Sequence, residues 1–169
     1  MVICYDYALA RRIAGNLAEF LDMRYFDMID MFNFNNAPYS LIDILKINGS
    51  KYVDKKMRSV LKTELDFSGV VFVVEPKVLA KNQDLFEKLK TCNLVLFLKR
   101  DFKDDFVVRE ITHFKTDEEK EYFNLQLDEL SESGLIFQNS LADIVVDIDN
   151  LNYEQIKEKV KQELENFAG

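Results

Sequence analysis

A three-layer α/β fold built on a parallel sheet is what this sequence predicts, and two observations carry that expectation. Three segments, 69–74 (GVVFVV), 94–98 (LVLFL) and 144–148 (IVVDI), are short, apolar nearly throughout and rich in β-branched or aromatic residues. Strands covered on both faces read this way, because neither side is left for polar residues to alternate onto. Stripes of helical spacing lie between these segments. Strands alternating with helices imply right-handed crossovers and a parallel sheet with helices on both faces.

Taken in order, residues 1–5 are the first strand candidate, followed by a helix whose stripe is Leu9, Ile13, Leu17, Phe20 and Leu21. Residues 24–27 supply a further strand candidate. Val53, Met57, Val60 and Leu61 mark the helix that leads into 69–74, and Leu85 and Leu89 a shorter one before 94–98. Asp147 interrupts the last apolar run, which places it at a sheet edge or a strand end. Asn152 then reads as the N-cap of a final helix with Ile156, Val160, Leu164 and Phe167 on its apolar side. Residues 118–133 are acidic and helix-compatible, with Phe123, Leu127 and Leu130 on one side. With no repeat, biased tract or linker in view, residues 1–169 are expected to form a single domain.

A chain of 169 residues is long enough to bury a sizeable core. Its 48% apolar and 31% charged content is that of a globular protein. The net charge of −8 argues against nonspecific binding to nucleic acid or to an anionic membrane, both of which need clustered Lys and Arg. No apolar run is long enough to cross a bilayer and the start carries no basic leader, so a cytoplasmic location is expected. Cys4 and Cys92, each in or beside a predicted strand, are expected to be small buried hydrophobes and not a disulfide or metal framework. His113 is the only histidine, which excludes zinc sites built on several histidines; no partner for a triad can be assigned to it.

Residues 17–29 (LAEFLDMRYFDMI) resemble the stretch after the phosphate loop of shikimate kinases, where an LA-x-x-L helix runs into a strand ending F-x-D-x-D. Residues 141–160 (LADIVVDIDNLNYEQIKEKV) resemble that family's last strand and helix, with their A-D-x-x-V-D pattern. Between them, GVVFVVEPKVLAKNQDLFEKLKTCNLVLFLKRDF has the family's strand, loop, helix and strand at matching spacing. The resemblance covers most of the chain. It implies the P-loop kinase fold, with a five-stranded parallel sheet ordered 2-3-1-4-5, and it makes 116–134 a lid-equivalent insertion.

The family's chemical residues mostly do not carry over. Where G-x-x-x-x-G-K-[ST] would stand, the chain reads CYDYALAR, with no glycine and no lysine. Counting back from Leu17-Ala18, the phosphate-binding lysine falls on Ala10 and the magnesium-holding hydroxyl on Arg11. Asp27 matches the first acid of F-x-D-x-D, while Ile29 takes the place of the second. The substrate-binding F-R falls on Val53-Asp54, the glycine turn on Val74-Glu75-Pro76, and the lid arginine near Gly134 or on Gln126. A phosphate loop turns several backbone N–H groups inward, a conformation glycine permits and bulk resists. Phosphoryl transfer depends on positioning and on neutralising phosphate charge. Loss of lysine, hydroxyl and lid arginine together should therefore leave no useful kinase rate.

Five residues are candidates for a ligand pocket. Arg11 and Arg12 open the first helix, where an N-terminus favours anions; they would hold a phosphate, a carboxylate or an acidic partner, or else are solvated with packed stems. Asp27 ends its strand where open parallel sheets bind ligands; with Asp30 it is a candidate magnesium ligand, against the plainer role of capping the next helix. Arg58 lies one helical turn beyond the family's substrate arginine and would reach the same pocket, or else shares a solvated basic face with Lys51, Lys55 and Lys62. Glu75 is a candidate base beside the crevice, or a structural acid that caps the next segment. Residues 27–36 (DMIDMFNFNN) either complete the core or present Met28, Met31, Phe32 and Phe34 to a partner.

The expectation is thus a degenerate shikimate kinase-like pseudoenzyme: a noncatalytic domain that binds a protein partner or a small anion, with no cofactor. The alternative is a working small-molecule kinase with a rebuilt nucleotide site, taking ATP and magnesium, with Arg11 or Arg12 in place of the lost lysine and Asp27 on the metal. A structural subunit, a homodimer formed through the Met/Phe segment, is a third reading.

Overall fold

The computed structural model describes residues 1–100 and 141–169. The lid-equivalent stretch 116–134, the helical pattern in 118–133, His113 and the two positions considered for the lid arginine lie outside the described residues.

Five strands, β1 (Val2–Cys4), β2 (Arg24–Asp27), β3 (Val70–Val74), β4 (Leu96–Lys99) and β5 (Ile144–Asp147), pair in parallel in the order β2-β3-β1-β4-β5. This is the order the resemblance implies. Val2 stands opposite Val73 on one side and Leu96 on the other, and Asp27 also stands opposite Val73. The inner strands are sealed on both faces, as their unbroken apolar runs require: Ile3, Val73, Val74 and Leu98 are wholly buried. In β5, Ile144 and Val146 are buried while Val145 and Asp147 are exposed, the alternation of an edge strand.

Seven helices cover the sheet: α1 (Tyr7–Phe20), α2 (Met28–Asn35), α3 (Leu41–Asn48), α4 (Ser50–Thr63), α5 (Pro76–Lys81), α6 (Gln83–Cys92) and α7 (Tyr153–Ala168), counted among the described residues. The alternating direction of strand addition puts α1 on one face and α4–α6 on the other. Helix α7 joins α1: the Lys161 ammonium lies 4.8 Å from the Phe20 ring and the Arg12 guanidinium 3.8 Å from the Tyr153 ring. Asn152 caps α7 by accepting from the Gln155 backbone amide at Oδ1, and the Gln155 side-chain oxygen accepts in turn from the Asn152 backbone amide.

Helices α2 and α3 are not announced by periodicity. Capping makes them: Asp27 for α2, and Ser40 with Asp43 in a reciprocal box for α3. Gly49, at φ 78°, then carries the chain straight into α4, in a region of backbone space that side chains resist. The Met/Phe segment divides between its two readings, for Met28, Ile29 and Phe32 fill the core while Phe34 is 84% exposed.

Two expectations need correction. Cys4 is buried, but Cys92 is exposed, because it is the last residue of α6 and β4 begins only at Leu96. Phe20, Leu21 and Phe167 end their helical stripes in solvent. Helices of 14 and 16 residues outrun strands of three to five, so their last turns have no sheet beneath them. Among the described residues no helix is long and apolar enough to cross a membrane.

Glu64, in the 3-10 turn after α4, is buried, and among the described residues Oε2 has no hydrogen-bond partner. Burial pushes its carboxyl up from 4.5 to about 7. The folded state therefore holds a proton that the unfolded chain has released, and stability falls as pH rises from 4.5 to about 7, then levels. Glu64→Gln should raise the thermal midpoint at pH 8, by the equivalent of about 1–3 kcal/mol, and change it little at pH 4. Thermal denaturation of both proteins across that range checks the sign. An equal shift at both pH values would show that the charge is not the cause.

Candidate functional site

Open parallel sheets present their ligand crevice at the carboxyl ends of the strands, and here that region is built from the ends of β1, β2 and β3 with the first turns of α1 and α2. Its centre is the side chain of Asp27, only 1% exposed. Asp27 is the last residue of β2 and the N-cap of α2, so its Oδ1 accepts from the amides of Ile29 (2.8 Å) and Asp30 (2.9 Å). The Tyr7 hydroxyl donates to the same oxygen from α1 (3.2 Å). Tyr25, two residues back on β2, donates to Oδ2 at 3.3 Å.

Arg11 completes the set. It lies one turn along α1 from Tyr7, and its Nε donates to Asp27 Oδ2 while Nη2 reaches Oδ1 at 3.4 Å. The same guanidinium comes within 4.0 Å of Asp30 and sits 5.0 Å from the Tyr7 ring centre. Burial pushes the phenols of Tyr7 and Tyr25 up, and the Asp27 carboxylate pushes them further. Both stay protonated and able to donate. Glu75, buried just after β3, adds to that push on Tyr7. Glu75 takes the N-cap position of α5 without a side-chain capping bond; its backbone oxygen accepts from Val78 and Leu79.

Between β1 and α1 only Tyr5 and Asp6 intervene, so helix begins where a phosphate loop would still be turning. Asp6 is the N-cap of α1, accepting from the Leu9 amide at 2.9 Å. Its side chain is buried, and Oδ2 has no hydrogen-bond partner among the described residues. Burial pushes that carboxyl up, while the Leu9 amide, Arg100 and Arg12 pull it back down. The Asp6 side chain thus already occupies the amino end of α1.

Of the five predicted pocket residues, the structure joins Arg11 to Asp27, and Glu75 lies buried at the carboxyl end of the neighbouring strand β3. Arg12 instead lies on the Tyr153 ring, and the Tyr153 hydroxyl donates to the Arg12 carbonyl (3.3 Å). Arg58 forks onto Asp84 (2.9 and 2.7 Å) and donates to Asn82 (2.7 Å), holding the Asp84 carboxyl down to about 2. Sequence reasoning missed Tyr7 and Tyr25. Tyr7 stands four residues before Arg11, the spacing that puts both on one helical face, and that was the available signal. Among the described residues no group of three or more acids, histidines or cysteines is placed to hold a metal ion.

Removing one partner of a buried ion pair leaves the other charge uncompensated. Asp27→Ala should cost about 3–5 kcal/mol, since it strands Arg11 and also uncaps α2. Urea denaturation of Asp27→Ala, Arg11→Met and the double variant checks this, with a coupling energy of about 1–3 kcal/mol expected between the two sites. Additive losses would mean that the pair contributes nothing of its own.

No protein-family model matches the sequence, and no curated protein sequence matches it either. Solved structures do match. A shikimate kinase from Bacteroides thetaiotaomicron superposes with a TM-score of 0.76 at 16% identity, covering 99% of this chain and 97% of its own. A shikimate kinase from Aquifex aeolicus gives 0.65 at 20% identity, with 99% and 98% covered. One from Acinetobacter baumannii, solved in complex with shikimate, gives 0.69 at 12%, with 98% and 92% covered. What is shared is the architecture: a five-stranded, all-parallel sheet in the order 2-3-1-4-5, flanked by helices, the P-loop kinase fold of shikimate kinases.

Proposed function

We propose that this chain is a degenerate, shikimate kinase-like pseudoenzyme that serves as a noncatalytic binding or regulatory domain. The observation that carries the reading is the mutual neutralisation of Arg11 and Asp27. Counted from Leu17-Ala18, Arg11 stands where the resemblance would put the magnesium-holding hydroxyl, and Asp27 where it would put the first acid of the motif. Each satisfies the other, so neither charge is left over for metal or phosphate. The two-residue link at Tyr5–Asp6 supports the same conclusion, because it supplies no ring of inward amides and fills the helix end with a carboxylate.

The arginines also bear on what is bound. With Arg11 on Asp27, Arg12 on Tyr153 and Arg58 on Asp84, a small anion would have to displace an internal partner at each of these three positions. That favours the protein-partner form over the anion-binding form. It also weighs against the kinase with a rebuilt nucleotide site, which needs Arg11 and Asp27 for two different ligands.

A ligand that binds the native state raises its melting temperature by mass action. Thermal denaturation with millimolar Mg-ATP, shikimate or inorganic phosphate should leave the midpoint where it is. A rise with Mg-ATP, or phosphorylation of shikimate that is lost in Arg11→Ala, would overturn the proposal and restore the kinase.

A further inference from the structure

At the opposite end of the sheet from Asp27, around the amino ends of β1, β3 and β4, lies a cavity of about 500 Å³. Leu17 and Leu21 of α1, Leu65 and Phe67 ahead of β3, Leu94 ahead of β4 and Leu164 of α7 supply apolar walls. The fold explains why it is there. Helices α1 and α7 extend past the short strands, and their last turns overhang space that no strand fills. Gly69, at φ 62°, turns the chain into β3, and a Cβ built at that position would meet nothing within 4 Å.

The volume falls in the range of small-molecule pockets and suits an occupant of about 10–20 non-hydrogen atoms. Charge narrows the class further. Asp66 is the one charged side chain among the described lining residues, and no cationic side chain is among them. The amino group of Met1, also in the lining, donates to the Leu94 carbonyl (2.7 Å), and burial lowers it from 8.0 to about 5, so it brings no positive charge at neutral pH. An anionic head group would therefore meet Asp66 without a cationic side chain in the lining, while Ser68 and Asn93 offer hydrogen bonds to a neutral hydroxyl or amide.

We propose that this cavity is a binding site for a small, uncharged apolar molecule, of the class of a medium-chain alcohol or a fused-ring aromatic. The site lies away from the Asp27 crevice and is independent of whether that crevice binds nucleotide.

The uncharged fluorophore N-phenyl-1-naphthylamine tests the assignment on the full chain. Its emission should rise saturably with one site per chain, and decanol should displace it while decanoate at the same concentration does not. Leu21 and Met23 line the cavity but are 39% and 43% exposed, so charges there are compatible with folding. Leu21→Glu with Met23→Glu should weaken the probe at least tenfold with the thermal midpoint kept. Cys92 supplies a second readout, since it lines the cavity and is exposed while Cys4 is buried. Saturating probe should slow its reaction with a thiol reagent severalfold. Absence of saturable binding, equal displacement by decanoate, or an unchanged Cys92 rate would overturn the proposal. So would sedimentation showing that the chain dimerises and that the probe binds only the monomer, because the occupant would then be a second copy.

Discussion

The carboxylate of Asp27 is the point on which three elements converge. It ends β2, starts α2, and receives Tyr7 and Arg11 from α1, so the orientation of α1 over the sheet and the entry into α2 are set by one buried group. A buried carboxylate is tolerable only when its lone pairs are met, and here two amides, two phenols and a guanidinium meet them. The same saturation makes Asp27 a structural anchor shared by β2, α1 and α2.

How far the sequence reveals this depends on the length scale of the cause. The inner strands were legible because burial on both faces writes itself into consecutive residues, as in GVVFVV. The final helix was legible from Asn152 onward, since both capping and periodicity are local. Helices α2 and α3 were not, because Phe34 and Ile47 face solvent and blur the stripe, and the helices owe their existence to caps at Asp27 and Ser40. The exposure of Cys92 was missed because it turns on where α6 stops.

The site was legible only in part for the same reason. Arg11 and Asp27 could each be singled out from their places relative to a strand end and a helix start. That they face one another is a matter of tertiary packing across 16 residues, which no local pattern encodes. Arg12 and Arg58 show the converse. Their positions in sequence pointed at the crevice, and their partners, Tyr153 and Asp84, draw them elsewhere.

The embrace of Arg12 and Tyr153 joins residues 141 positions apart, and it fastens the opening of α1 to the opening of the last helix. Ordering of so distant a pair closes a long loop and belongs to the slow, non-local part of folding. During synthesis from the amino end, the central strand β1 waits for β4 on one flank, and the first turn of α1 waits for a tail not yet made. The nascent chain therefore has β1 before either of its sheet neighbours, β3 and β4, and α7 can latch onto α1 only after both have been made.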